Sequence, residues 1–252
     1  MTVDSKNSIR FASINIEFDK HYETVFPFIK NFKPDIFCAQ EIFEDDIPLF
    51  ESEFSMKAVF APMVELRKDP KDFSSPMVRC GVAIMSTIPM SESGADYYSG
   101  GADRVPQFFK EYPVGMEFIN KALLSVSVSF NGVPYTFSTT HFTWSNRGLA
   151  TDEQRVDLQK LFTILDTKSE FILSGDFNAP RGREIFTAIA ARYKDNIPPE
   201  YTTSVDKHLH RAGDLQLMVD GLFTTPQYEV SEAKLSEGVS DHMAVTALIY
   251  KA

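Results

Sequence analysis

Only two cysteines occur in the 252 residues, Cys38 and Cys80, and both lie in apolar runs that read as strands. Buried free thiols account for them better than a disulfide or a reactive role, so no covalent scaffold is expected to hold the fold. The core must do so, and 43% of the chain is hydrophobic. A chain of this size can bury roughly 70–75% of its unfolded surface. Apolar runs near the ~20 residues of a membrane span are missing, and residues 1–8 are polar, without the apolar centre of a signal peptide. These absences predict a soluble, cytoplasmic protein. No linker rich in Gly, Ser or Pro divides the chain and no repeat or low-complexity tract is visible, so residues 1–252 are expected to form a single domain, and a monomer.

Positive charge is the other shortage. Lys+Arg number 25 against 35 Asp+Glu, a net charge of −10. This disfavours a protein that grips long nucleic acid through a broad basic face. It leaves nuclease activity open, because a compact site needs only local positive charge and a divalent cation supplies much of it.

What is present is organised around residues 171–180, an apolar run that breaks at Gly175 and delivers Asp176 and Asn178 onto the loop at its end. Such strand ends carry chemistry in α/β folds, although an Asp-x-Asn there can also be a turn that caps its own backbone. Upstream, 8–18 reads as a strand ending near Asn15 and Glu17, 21–31 as a helix, and 36–40 as a buried strand before Glu41. A short helix is predicted at 45–53 and strands at 56–63 and 78–86. Residues 89–117 have no clear period but contain Tyr97, Tyr98, Phe108 and Phe109. Either these face substrate or they cover a sheet edge. Asn131-Gly132 marks a hairpin of 122–130 with 133–142 that ends at His141. Thr151 caps a helix whose apolar face contains Val156, Leu158, Leu161, Phe162 and Leu165. Residues 181–192 read as helix, 215–223 as a strand carrying Asp220, and 243–250 as the last strand, after Asp241 and His242. These patterns support a mixed α/β protein.

Five stretches ending apolar runs carry a more specific signal: Ser13-Ile14-Asn15-Ile16-Glu17, Ala39-Gln40-Glu41, Thr139-Thr140-His141-Phe142, Gly175-Asp176-Phe177-Asn178 and Ser240-Asp241-His242. In this order and spacing, over about residues 9–249, the chain resembles the endonuclease/exonuclease/phosphatase superfamily. Its members include deoxyribonuclease I, abasic-site endonucleases, tyrosyl-DNA phosphodiesterases, neutral sphingomyelinases and inositol-polyphosphate 5-phosphatases. The resemblance implies a four-layer α/β sandwich, two packed mixed β-sheets flanked by helices, and a Mg²⁺-dependent phosphodiesterase, with Mn²⁺ as an alternative ion.

On that resemblance Glu41 and Asp241 would hold the metal, with Glu17 either beside them or a solvent-facing acid. Asn15 would hold the phosphate or a metal-bound water. Asp176 would act as general base and Asn178 would bind phosphate. His242 would bind a phosphate oxygen or move a proton, with Asp220 fixing its tautomer. The position after Asp220, usually histidine or an aromatic in the family, is Gly221. His141 matches a histidine that has a glutamate partner in deoxyribonuclease I, where Arg79 is expected to stand in this chain. Arg181, Arg183, Lys207, His208, His210 and Arg211 would form a small basic rim, with Tyr97, Tyr98, Phe108 and Phe109 available to stack on substrate. A nucleic acid is the expected substrate. The alternatives are a phospholipid, an inositol phosphate or a tyrosyl-DNA link, or a binding protein that has lost catalysis.

Overall fold

The computed structural model describes residues 8–69, 71–108 and 119–252. Its strands are β1 (Ile9–Asn15), β2 (Ile36–Phe43), β3 (Lys57–Arg67), β4 (Met77–Ser86), β5 (Met90–Ser99), β6 (Gln107–Phe108), β7 (Lys121–Phe130), β8 (Val133–His141), β9 (Ile172–Asp176), β10 (Lys194–Asp195), β11 (Asp220–Thr224), β12 (Tyr228–Ser236) and β13 (Ala244–Lys251). Among the described residues the helices are α1 (Tyr22–Phe32), α2 (Ile47–Phe54), α3 (Asp152–Leu165) and α4 (Glu184–Ala190). None is long and apolar enough to cross a membrane.

The strands form two mixed sheets, ordered β12-β13-β1-β2-β4-β3-β6 and β10-β11-β9-β8-β7-β5. Alternation along each strand separates three apolar layers. Phe11, Cys38, Ile84, Val126, Phe137 and Ile172 pack between the sheets. Ile14, Phe37 and Ala39 face outward onto Val25 and Ile29 of α1 and Phe50 of α2. Leu123 and Leu173 face Leu158, Leu161 and Phe162 of α3 and Ile185 of α4. The architecture is therefore the expected sandwich of helix, sheet, sheet and helix. Both cysteines are buried and free, and desolvation pushes the Cys38 thiol up to about 12, which keeps it an inert hydrophobe.

Local signals explain the boundaries that match. Thr151 Oγ1 accepts from the Gln154 amide at 3.1 Å, and Asp152 and Glu153 fill the first turn of α3. Asn131 and Gly132 take φ of 52° and 78°, the pair of positive values that a tight hairpin turn requires. Several expectations are corrected. The 89–117 stretch contains β5, a sheet-edge strand whose register shifts near both ends, so no period survives in its sequence. Phe109 and the rest of 109–118 lie outside the described residues. β12, which no sequence signal marks, is an edge strand of the other sheet, likewise polar and with a register break between Ser231 and Lys234. Val156 is 53% exposed. In its place Gln154 and Asp157 turn inward, where Thr143 accepts from the one at 2.7 Å and donates to the other at 2.6 Å. Regular structure at 181–192 is confined to α4. That at 215–223 is confined to β11, because the carbonyls of Leu217, Met218 and Val219 serve Ser204, Arg181 and Phe177 instead of a sheet neighbour.

Candidate active site

Strand registers bring the candidate residues to one end of both sheets. Parallel pairing sets Asn15 beside Gln40 and His141 beside Asp176, and antiparallel pairing sets Asp220 opposite Asp176. Asp241 and His242 immediately precede β13, which runs antiparallel to β1. Gly175 is obligatory at this junction: its φ is 140°, and a Cβ there would lie 1.9 Å from the Thr140 carbonyl oxygen. Gly221 has a different cause. A Cβ on it would press on the edge-to-face rings of Phe177 and Phe223, at 2.7 and 2.5 Å, which are packed in the core beneath α3 and α4.

Asp176 is the centre of the site. Its Oδ1 accepts from the Asn178 amide at 2.8 Å and its Oδ2 from Asn15 Nδ2 at 3.3 Å. The same Oδ2 lies 3.5 Å from His141 Nε2 and 3.7 Å from His242 Nε2. Burial raises the Asp176 carboxyl above its ordinary value, and the charge of Asp220 adds to this, against the pull of the two histidines. Burial would depress His242, but the charges of Asp220 and Asp176, together with a 2.8 Å hydrogen bond from Nδ1 to Asp220 Oδ2, hold it well above the ordinary histidine range. His141 goes the other way: burial drives it down to about 4, so its ring is neutral at pH 7. The expected Arg79 partner is not there. Arg79 is half-exposed and pairs with Glu44 and Glu65, while Asp176 and Glu41, the latter 3.9 Å from Nε2, flank the His141 ring.

Beside this centre lies a carboxylate group. Asn15 Nδ2 donates to Glu41 Oε1 at 3.1 Å, and Asn15 Oδ1 accepts from the Glu17 amide at 3.1 Å. Glu41 sits where the β2 register shifts, with φ 56°. That extra residue re-aims its side chain. Burial, reinforced by Glu41, Glu17 and Asp176, pushes Asp241 up to about 7 despite the counter-charge of His242. Glu17 is also desolvated, but hydrogen bonds from Lys20 and His21 keep it below its ordinary value. Ligand atoms of Glu17, His21 and Asp241 lie within 4.8 Å of one another. Clustered carboxylates fit a divalent cation, whose charge would relieve the repulsion that helps to raise Asp241.

The expected rim is largely committed elsewhere. Arg181 pairs with Asp195 at 2.8 Å and donates to the carbonyls of Ile197, Pro198 and Tyr201. Arg183 donates to the Arg147 carbonyl. Tyr97 packs between the sheets with its hydroxyl on the Pro62 carbonyl, and Tyr98 is buried against Phe142 with its hydroxyl on Thr140. Neither tyrosine is available to stack on substrate. Asn178 Nδ2 donates to the Phe142 carbonyl at 3.0 Å, which leaves its second amide hydrogen uncommitted by that bond. Phe108 does border the site. With Phe18, Met63, Val64, Leu66 and Ile119 it walls a narrow apolar cleft of about 30 Å³, also lined by Glu41 and His141. Lys207, His208 and Arg211 are exposed, and the His210 ring meets that of His242 edge to face at 6.4 Å.

Two contributors were not singled out from the sequence. Gln40, fully buried, donates to Thr139 Oγ1 at 2.9 Å and Ser13 Oγ at 3.3 Å, tying the two sheets beneath the site. His21 stands four residues after Glu17, a spacing that could have suggested their contact.

No protein of curated function matches the chain by sequence. By fold it is similar to an endonuclease/exonuclease/phosphatase from Beutenbergia cavernae, at 15% identity over 98% of this chain and 72% of that one, with a TM-score of 0.74. The human nocturnin catalytic domain aligns at 17% identity over 97% and 95% of the two chains, TM-score 0.68. A Bacteroides thetaiotaomicron mannosyl-6-phosphatase aligns at 15% over 96% and 99%, TM-score 0.68. The family model described as Endonuclease/Exonuclease/phosphatase family matches residues 12–242, and with nearly the whole chain inside that match the protein belongs to this family of phosphoester hydrolases.

Proposed function

We propose that this chain hydrolyses a phosphoester by direct attack of water, with Asp176 as general base. The observation that carries the reading is the Asp176 carboxylate: buried, raised in pKa, held by Asn15 and Asn178, and facing two histidines of opposite protonation preference. A raised carboxyl is a better proton acceptor in its ionised form, and the two fixed donors orient the lone pair that takes the proton from water. His242, protonated and braced by Asp220, offers its Nε2–H to a phosphate oxygen and so stabilises the charge that grows on it. Neutral His141 contributes a hydrogen bond rather than a proton. The uncommitted Asn178 amide hydrogen binds another phosphate oxygen.

Enzymes of the family use divalent metals. In this reading Glu41, Asp241 and Glu17 hold one, which would supply Lewis-acid stabilisation of the leaving oxygen. Mg²⁺ is the ion the oxygen donors suit.

The substrate we favour is a compact phosphoester. Arg181 and Arg183 are engaged with protein carbonyls, which removes the rim expected to track a polyanion. The apolar cleft that shares Glu41 and His141 with the site is only about 30 Å³, too small to take a base or an acyl chain. A mannosyl-6-phosphatase on the same fold accords with a compact ester. A nucleic acid stays as the second reading, because exposed Lys207 and Arg211 flank His210 beside His242. The test is a cleavage panel in Mg²⁺ and in chelator: alkyl and aryl phosphomonoesters and diesters, sugar phosphates, sphingomyelin, and single-stranded and duplex DNA and RNA. Chelator-sensitive turnover that is highest for the small phosphomonoesters and sugar phosphates supports the compact ester. Preferential cleavage of DNA or RNA would replace it with the nuclease, and no turnover of any substrate would refute both.

A further inference from the structure

The geometry points to His21 as a nitrogen ligand of the metal site, turning an all-oxygen donor set into a mixed one that prefers a first-row transition ion to Mg²⁺. The inference rests on the hydrolase reading above. Mg²⁺ takes carboxylate and water oxygens, whereas imidazole suits borderline ions such as Co²⁺ and Zn²⁺.

His21 reaches the site through backbone bending rather than a strand end. After β1 the chain adopts positive φ at two successive residues, Glu17 at 46° and Phe18 at 64°. The Phe18 amide donates to the Glu41 carbonyl at 3.0 Å, which folds the turn back over Glu41 before α1 begins. His21 Nε2 thereby comes to 2.9 Å from Glu17 Oε2. Lys20 sits on the other oxygen, Oε1, and leaves Oε2 to the histidine side.

A local ion pair four residues apart would explain Glu17 and His21 alone. It does not explain Asp241, which arrives from the far end of the chain and places a ligand oxygen within 4.8 Å of both. Donors bound to one ion at ~2.0–2.2 Å lie about 3–4 Å from each other, so three donors in this range need only small adjustments to close on a cation. The pair is also sheltered: the His21 and Glu17 side chains are 14% and 15% exposed, unlike a solvated surface bridge. Glu41 and Asn15 complete the surroundings through the Asn15 bonds to Glu41 and to the Glu17 amide. No covalent or redox step is involved.

The experiment uses the metal-stripped full chain, titrated calorimetrically with Mg²⁺ and Co²⁺, for wild type, His21→Ala and His21→Gln, the last of which keeps a donor toward Glu17. Pulsed EPR of the Mn²⁺-loaded proteins reads nitrogen hyperfine coupling directly, and circular dichroism checks folding. Wild type is expected to bind Co²⁺ at least about 100-fold more tightly than Mg²⁺, and to show the coupling. Both variants should lose about tenfold or more in Co²⁺ affinity, less than about twofold in Mg²⁺, and the coupling itself. Absence of nitrogen coupling in wild type overturns the inference whether or not the variants fold. So does coupling that persists in both variants, or equal losses for the two ions, which would make His21 a support for Glu17. These results leave the oxygen site and the hydrolase reading intact. Failure of wild type to bind any of the three ions removes the metal from the proposed site as well.

Discussion

Replacing Asp241 with asparagine should stabilise the metal-free protein at alkaline pH while abolishing its response to cations. The carboxyl is 7% exposed and is pushed from an ordinary 3.8 to about 7, first by burial and then by Glu41, Glu17 and Asp176. Because the folded value lies above the unfolded one, the native state binds more protons than the unfolded state between those limits. Wild-type stability therefore falls as pH rises from about 4 to about 7 and is level above that. At roughly 1.4 kcal/mol per pH unit, the ionised group costs about 4 kcal/mol at about pH 8.5. Asparagine has nearly the same shape and no charge, and Ser240 Oγ, 3.3 Å from Oδ1, can still donate to its amide oxygen. For a domain of this size each kcal/mol moves Tm by about 2 °C, so Asp241→Asn should melt about 8 °C higher at about pH 8.5 and within about 2 °C of wild type near pH 4. His141, held down at about 4, has the opposite sign: its contribution is full above 6.5 and is lost as pH falls toward 4. It is present in both proteins and drops out of the difference. Thermal unfolding followed by circular dichroism in EDTA measures the effect. A shift independent of pH, or a lower Tm at alkaline pH, would refute the reasoning. Added metal should raise Tm in wild type and leave the variant unmoved.

Four further outcomes are expected. Glu41→Gln removes a charge from a buried site without changing shape, so Mg²⁺ affinity measured by calorimetry should fall at least about tenfold with the circular dichroism spectrum unchanged. Asp176→Asn should lower kcat by about 10²-fold or more with KM within about threefold; a change confined to KM would make Asp176 a binding residue. Asp220→Ala and His242→Ala should be non-additive, the double variant losing little more kcat than the worse single one, since the 2.8 Å bond makes them one unit. Arg181→Ala should destabilise the fold by about 2–3 kcal/mol in denaturant titration, because it frees three carbonyls and strands Asp195, whose carboxyl burial already raises. A phosphate-binding role would instead leave stability unchanged.

Residues that end apolar runs were the legible part of the site. Asn15, His141 and Asp176 end strands, Asp220 begins one, Glu41 sits at the bulge near the end of β2, and Asp241 and His242 lie just before β13, so the registers of these buried strands bring them together. Direction was less legible than position. Tyr97 and Tyr98 stand next to each other, and in a strand they must face opposite sides; both sides of β5 at that point are core, so both rings are consumed by packing. Arg181 could not be told from a phosphate ligand without knowing that residues 195–201 return to meet it. The edge strands β5 and β12 escaped because both are largely exposed and broken in register, so neither carries the apolar run that marks the buried strands. The four-residue spacing of Glu17 and His21 hints at their contact, but nothing in the residue types of Glu17 and Phe18 announces the two consecutive positive φ values that carry the pair toward Asp241.

The Gln40 bridge has a consequence for how this molecule could be inactivated. Glu41 and Asn15 ride on one sheet and Asp176 on the other, and the contacts that couple them across the seam are side-chain bonds, Asn15 to Asp176 and Gln40 to Thr139, rather than backbone ladders. Ladders keep each sheet internally rigid, so base and metal ligands stay aligned only as far as the apolar core between the sheets and these side-chain bonds hold the two together. Slippage of about 1 Å there would disengage the chemistry while leaving every strand paired. Activity in this chain is thus expected to report sheet alignment as well as folding.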